Sequence, residues 1–258
     1  MNPIPKSVYS DLLNEIFSSL VKTKSEIKIQ AWRRKAESLG SVDLFQHKLM
    51  LSILDAYINK NEQAIKKAET ALLLTQNNFY RGMAYRVIGN CYAHLGKYQQ
   101  AMDAYWYAYE TTKDPEYFYT FFQAATCYDF YDKRMLEMKS LKKDDQVRFK
   151  ELLDHLNSEI KKLETHNLNL DLYRDILSEA YKVFFANCSG KVTRFASVAD
   201  SNVSSILFNP ELNLETVGLL NDQMNDSLVN LLDKYEFDEI LKYPIIFTSE
   251  NYFNALHY

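Results

Sequence analysis

With 258 residues, 47% hydrophobic, 25% charged and 14% aromatic, the chain has globular composition and enough apolar residues for a sizeable core. Only 6 Gly and 5 Pro occur, too few for the turns of a hairpin-rich all-β fold, so the expectation is mostly helix. The net charge of −4 is uneven: residues 1–166 hold 24 Lys and Arg against 21 Asp and Glu (+3), and residues 167–258 hold 6 against 13 (−7). Neither part has the dense basic patch of a phosphate-dominated nucleic-acid binder, so no nucleic-acid partner is expected.

Val8, Leu12, Ile16 and Leu20 recur every four residues, which predicts an amphipathic helix over about 7–22. A second helix, about 25–39, should stop at Gly40. Asp43 is the expected N-cap of a third, running to about Asn59. Its partner, about 62–74, carries Ala64, Ala68 and Ala71 on one face, small enough to let two helices approach closely.

Residues 79–115 read FYRGMAYRVIGNCYAHLGKYQQAMDAYWYAYETTKDP. Tyr85, Ile88-Gly89, Tyr92, Ala101, Tyr105, Ala108 and Pro115 fall in order, with Leu95-Gly96-Lys97-Tyr98 as a turn. This stretch resembles one tetratricopeptide repeat, the helix–turn–helix unit of about 34 residues. Tyr85 stands where the family has Trp, Ile88 where it has Leu, and Pro115 comes late. Residues 59–71 align with it at an offset of about 37, and 121–138 at about 36, the latter with Glu137 in place of the small Ala101. The resemblance covers about residues 43–140 and implies three antiparallel helix pairs after one leading pair.

Lys139–Asp145 is a charged break, with Asp144 as the expected cap of a helix over about 146–166. Phe149, Leu153, Leu156, Ile160 and Leu163 form a heptad-like stripe along it, read either as packing on the repeats or as a homodimer seam. A Leu- and aromatic-rich helix over about 169–186 follows. At Cys188-Ser189-Gly190 the pattern changes: Lys191–Ser197 alternates, Val203–Phe208 is β-prone, and Ala199–Asn202 between them predicts a hairpin turn. A helix over about 214–235 and an edge strand at Tyr243–Thr248, held to the edge by Pro244, complete the chain. The expected fold class is therefore mostly α: tetratricopeptide-like antiparallel helix pairs in residues 1–187, with a small α+β cap in residues 188–258 packed on them.

Cys91, Cys127 and Cys188 are odd in number and scattered, as reduced cytoplasmic thiols would be, and no metal-ligand spacing appears. No secretory h-region and no apolar membrane-spanning run occurs, so no membrane insertion is expected. His47, His94, His155, His166 and His257 are isolated from one another, and His94 reads as a turn or surface histidine. Catalytic and phosphate-loop signatures are missing, so no catalytic residue, cofactor or metal is assigned.

In the family that the repeat resembles, the first helix of each pair lines a concave groove, and some members hold a peptide's terminal carboxylate there with a basic residue and an Asn. The resemblance places Arg86 and Asn90 at those positions, flanked by Leu49 and Ile53 on one side and Phe122 and Thr126 on the other, with Gln123 where a second Asn would stand. An ordinary polar helix face is the alternative. The dense aromatics of residues 98–131, Trp106 and Tyr109 among them, are core, partner surface, or both. The expected function is a non-catalytic adaptor, chaperone or regulator binding a protein or peptide segment. The rival is an enzyme or toxin-like effector acting through residues 188–258, with Arg194, Asp200 and Glu250 as its titratable candidates and the repeats as sensor.

Overall fold

The computed structural model describes residues 5–199 and 202–249. The hairpin turn at Asp200-Ser201, Glu250 and His257 lie outside them. The described chain is mostly α-helical with a small three-stranded sheet near its C-terminal end. It divides into two compact units: residues up to Phe118 with Ala186–Gly190, and Tyr119–Phe185 with the residues from Lys191 onward. This differs from the boundary expected at 187/188.

The first unit contains α1 (Pro5–Ile16), α2 (Glu26–Ser38), α3 (Leu44–Tyr57), α4 (Asn61–Leu73), α5 (Asn78–His94) and α6 (Tyr98–Thr112). Local chemistry sets their ends. Ser25 caps α2, Asp43 accepts from Gln46 N at 2.9 Å to cap α3, and Asn77 caps α5. The helix α2 ends at Ser38, within a residue of the expected stop before Gly40, and Gly40 itself lies in a 3₁₀ turn, Leu39–Ser41. Between α5 and α6, Gly96 takes φ 68°, where a Cβ would be strained. From α3 to α6 each helix packs on the next in sequence. Ala64, Ala68 and Ala71 have no exposed surface, which is the close approach that their spacing suggests. Asp55, on α3, is buried and pairs with Arg33 Nη2 at 2.9 Å and with Lys67.

Residues 186–190 join this unit by pairing with the segment after α1. Val21 and Cys188 form an antiparallel bridge, Lys22 N donates to Asn187 O (2.9 Å), and Ser189 N donates to Leu20 O (2.6 Å). Asn59, in the left-handed region (φ 63°), donates to Ala186 O and accepts from Lys22 Nζ, each at 2.9 Å.

The helix α7 (Pro115–Cys127) begins in the first unit and ends in the second. A 3₁₀ segment, Lys133–Ser140, follows it where the third helix pair was expected to have its second helix. Glu137, at the position that needs a small buried residue, is exposed there. Next comes α8 (Lys143–Thr165). Its N-cap residue is Lys142, and Asp144 lies in the first turn, where its charge complements the helix dipole instead of capping it.

The rest of the second unit is α9 (Leu170–Asn187, to Phe185), β1 (Thr193–Ala199), β2 (Asn202–Phe208), α10 (Leu214–Val229), α11 (Phe237–Ile240) and β3 (Ile245–Thr248). The strands β1 and β2 are antiparallel, β3 runs parallel to β2, and β2 is central. Pro244 precedes β3 at the sheet edge, as expected. The Asn221 side chain of α10 accepts from Phe247 N (2.8 Å) and donates to Phe247 O (3.1 Å), closing part of that edge. The rings of Tyr173 and Phe184 on α9 meet Tyr243 (5.7 Å) and Phe247 (6.4 Å). The sheet thus buries one face on α9, which is why this helix joins the strands and not the preceding helix pairs.

Candidate functional site

Arg86 and Asn90 lie four residues apart on α5, and both are exposed. Gly89 between them is buried and leaves room for the Tyr105 ring of α6. The Tyr105 hydroxyl donates to Asn90 Oδ1 at 2.9 Å. That bond orients the amide: its oxygen is engaged by α6, leaving the Nδ2 hydrogens as the donors beside Arg86. Tyr117 lies close enough to feel the Arg86 charge; burial raises its pKa and Arg86 opposes the rise.

The seven residues predicted to bind a partner divide between the units: Leu49, Ile53, Arg86 and Asn90 in the first, Phe122, Gln123 and Thr126 in the second. Two of them must be corrected. Leu49 has no exposed surface and belongs to one core with Tyr9, Leu12 and Ile16 of α1. Phe122 likewise has none; its ring meets Phe149 of α8 at 5.1 Å. Neither can touch a ligand as it stands. Ile53 is half-buried against the core that holds Leu49. Gln123 and Thr126 are half-buried, and Thr126 Oγ1 donates to Gln123 O (2.9 Å).

The same packing decides the heptad-like stripe. Phe149, Leu153, Leu156 and Leu163 are buried within the one chain, so the homodimer seam is replaced by intramolecular packing. Among the aromatics, Tyr105, Tyr109, Tyr117, Phe118, Phe121 and Phe122 are buried. Trp106 is half-buried between Tyr109 (5.4 Å) and Phe118 (6.2 Å), and Tyr107 is half exposed against Tyr85 (5.7 Å). Most of the aromatic surplus is core.

A polar cluster that sequence reasoning only touched lies in the second unit. Arg194, on β1, is nearly buried and donates to Tyr173 Oη (2.7 Å), Thr126 O (2.9 Å) and Asp129 Oδ1 (2.7 Å). Asp129 sits at φ 45° just past the end of α7, and its carbonyl accepts from Arg174 Nη2 (2.7 Å). Tyr173 Oη also lies 2.8 Å from Ser205 Oγ. Burial opposes the Arg194 charge, but Tyr173 and Asp129 more than offset it and hold the pKa above its usual range. Burial raises Asp129, with Arg194 pulling the other way. The arrangement ties β1 to α7 and α9. A pattern of alternation marks Arg194 as a strand residue, but no local signal marks Asp129 or Tyr173 as its partners. Of the titratable residues named for an effector activity, Arg194 is committed to this cluster, and Asp200 and Glu250 lie outside the described residues.

His94 stands at the end of α5 beside the Leu95–Lys97 turn, as expected, but it is half-buried and not a surface group: its Nδ1 is enclosed, and burial, aided by the charge of Lys22, pushes the ring pKa down to about 3. Burial lowers Lys22 to about 8, with Cys188 and Cys91 opposing. All three cysteines are free thiols. Burial raises Cys91 to about 12 and Cys188 to about 11, both against the pull of Lys22, so neither is a ready thiolate nucleophile at neutral pH. Among the described residues, no group of three His, Cys, Asp or Glu could hold a metal ion, and no helix is long and apolar enough to cross a membrane. Comparison with known protein families, with curated proteins and with solved structures returns no match.

Proposed function

We propose that the chain is a non-catalytic, cytoplasmic binding protein of tetratricopeptide-like build, an adaptor, chaperone or regulator that holds a carboxylate of a partner's segment on the α5 face. The observation that carries this reading is the exposed Arg86 beside an Asn90 amide oriented by Tyr105. A guanidinium offers two parallel hydrogen bonds to a carboxylate, and the amide adds a third. The order of α3 to α6, two helix pairs joined by three-residue turns, supports the tetratricopeptide-like part of the reading. The three free thiols suit a reducing compartment.

A peptide library with free C-terminal carboxylates, screened on the full chain, supplies the test. Selected peptides should lose about 1.5–3 kcal/mol of affinity on Arg86→Ala or on amidation of their C-terminus, as expected for a charged hydrogen bond. Binding should also weaken as salt is raised. The melting temperature should not move, because Arg86 is exposed. A folded Arg86→Ala protein that binds the selected peptides as tightly as the parent would remove this reading.

A further inference from the structure

We propose that the open edge of β1 pairs with β1 of a second copy of this chain, antiparallel about Ala196, so that two sheets join into one. The two edges of the sheet differ. At β3 the Asn221 side chain takes up Phe247 N (2.8 Å) and Phe247 O (3.1 Å). The outer edge of β1 has no such cover. Val203 N donates to Lys242 O (2.8 Å) and Ser205 N to Pro244 O (2.9 Å), so the backbone groups of Val203 and Ser205 face β3 and those of Asn202, Ser204, Ile206 and Phe208 face β1. Through the register Thr193↔Phe208 to Ala199↔Asn202, the β1 residues that bond to β2 are Thr193, Phe195, Ser197 and Ala199. The N–H and C=O groups of Arg194, Ala196 and Val198 therefore point away from the sheet. Among the described residues no hydrogen bond engages those of Ala196 and Val198.

Edge strands are ordinarily kept from such pairing by a bulge, a Pro or an exposed charge. The strand β1 has none of these: its register with β2 is unbroken over 7 residues, it contains no Pro, and its exposed side chains Thr193, Phe195 and Ser197 are uncharged. Its one charge, Arg194, lies on the other face and is already met by Asp129 at 2.7 Å. The occupant is a second copy because the strand complements itself. In a two-fold pair centred on Ala196, the residue on the axis meets its own copy, which calls for a small uncharged side chain, and Ala196 supplies it. Arg194 then stands opposite the partner's Val198, and Phe195 opposite the partner's Ser197, so neither like charges nor two rings are set directly against each other. On the exposed face Phe195, Ile206 and Ile246 are in register across the three strands, with Phe195 48% and Ile246 38% exposed. Pairing sets Phe195 and the partner's Phe195 diagonally across the axis, within aromatic reach, and continues this apolar row into the second sheet. A single strand pair is smaller than a standard interface, so the dissociation constant should be on the order of 10–100 μM.

The test uses the full chain. Sedimentation from about 1 μM to about 1 mM should show a monomer passing into a dimer. Ala196→Pro removes only the outward N–H and keeps every bond to β2, since an edge position facing away from the sheet tolerates Pro. It should weaken dimerisation about tenfold or more while the circular dichroism stays that of the parent. Ser197→Lys leaves the backbone intact but brings a charge to the exposed side beside the axis, and it should weaken the dimer similarly. Residue-resolved amide exchange on the unmodified chain identifies the surface. The amides of Ala196 and Val198 should exchange about fivefold more slowly at about 1 mM than at high dilution, whereas those of Phe195 and Ser197, already bonded to β2, should change little. A monomer at every concentration would overturn the inference, as would a dimer in which the Ala196 and Val198 amides gain no protection. A dimer equally tight in Ser197→Lys and in a folded Ala196→Pro protein would overturn it too. If Ala196→Pro does not fold, Ser197→Lys and the exchange rates of the unmodified chain decide.

Discussion

Gly89→Ala tests how the α5–α6 pair builds the candidate site. A Cβ at residue 89 would lie 2.5 Å from Tyr105 Cε1 and 2.6 Å from Cδ1, closer than real Cβ contacts, so the ring or the helix spacing must give. The ring is buried and tied through its hydroxyl to Asn90, so it cannot simply swing into water. Helix propensity favours Ala over Gly by about 1 kcal/mol. Against that stand overpacking of about 1–3 kcal/mol and the Tyr105–Asn90 bond, about 1 kcal/mol. The net expectation is a loss of about 1–3 kcal/mol, read by urea denaturation with the slope of the transition unchanged. Tyr105→Leu in the same chain should recover part of the loss, since the smaller side chain vacates the space. Gly218→Ala is the control of opposite sign: its Cβ meets nothing within 4 Å in α10, so it should stabilise by about 0.5–1 kcal/mol. A Gly89→Ala protein as stable as the parent would refute the packing argument and, with it, the claim that Tyr105 orients Asn90.

Two further outcomes follow from buried charge. Arg194→Met should cost about 3–5 kcal/mol by chemical denaturation, because it leaves Asp129 buried without its guanidinium; adding Asp129→Asn should return much of that, and a small effect of Arg194→Met alone would show that the pair is not buried as described. His94 has a folded pKa of about 3, below its ordinary value of 6.5. Its neutral form therefore contributes stability that is full above the unfolded pKa and is lost as the unfolded chain takes up a proton on acidification. Between neutrality and about pH 5 the loss should reach about 2 kcal/mol, and melting curves of His94→Gln should lack that component; an unchanged acid slope in the variant would refute the burial of His94.

What could be read from the sequence is what neighbours in sequence decide. Asp43 as a cap, the alanine face of α4, the Gly89 space and the central hairpin all follow from spacing within one element or one pair of elements. In contrast, Leu49 and Phe122 sit at positions that the repeat pattern assigns to an open groove, yet both are fully buried. A helix's own period reports which side is apolar. It does not report which other element covers that side. Leu49 shares its core with α1 and α2 residues from earlier in the chain, Leu12 and Trp32 among them, and the Phe122 ring meets Phe149 of α8, beyond the 3₁₀ segment. The stripe on α8 reads as apolar, but its period does not name its partner, so packing and dimerisation share one pattern; burial of Phe149 against Phe122 is what distinguishes them.

The same limit explains the site. Arg86 and Asn90 were legible because their roles depend on one helix and its hairpin partner. The extent of the surface around them was not, because it depends on which elements cover the apolar sides of the neighbouring helices. An apolar position packed against another element of the same chain has the same sequence pattern as one left open for a partner. Burial separates the two: Leu49 and Phe122 have no exposed surface, so they belong to the core of their units and contribute stability, not contact. What remains open to a ligand in the first unit is the exposed pair Arg86 and Asn90, with Ile53 only half-buried, and a site of that kind selects a polar group of a partner more than an apolar segment.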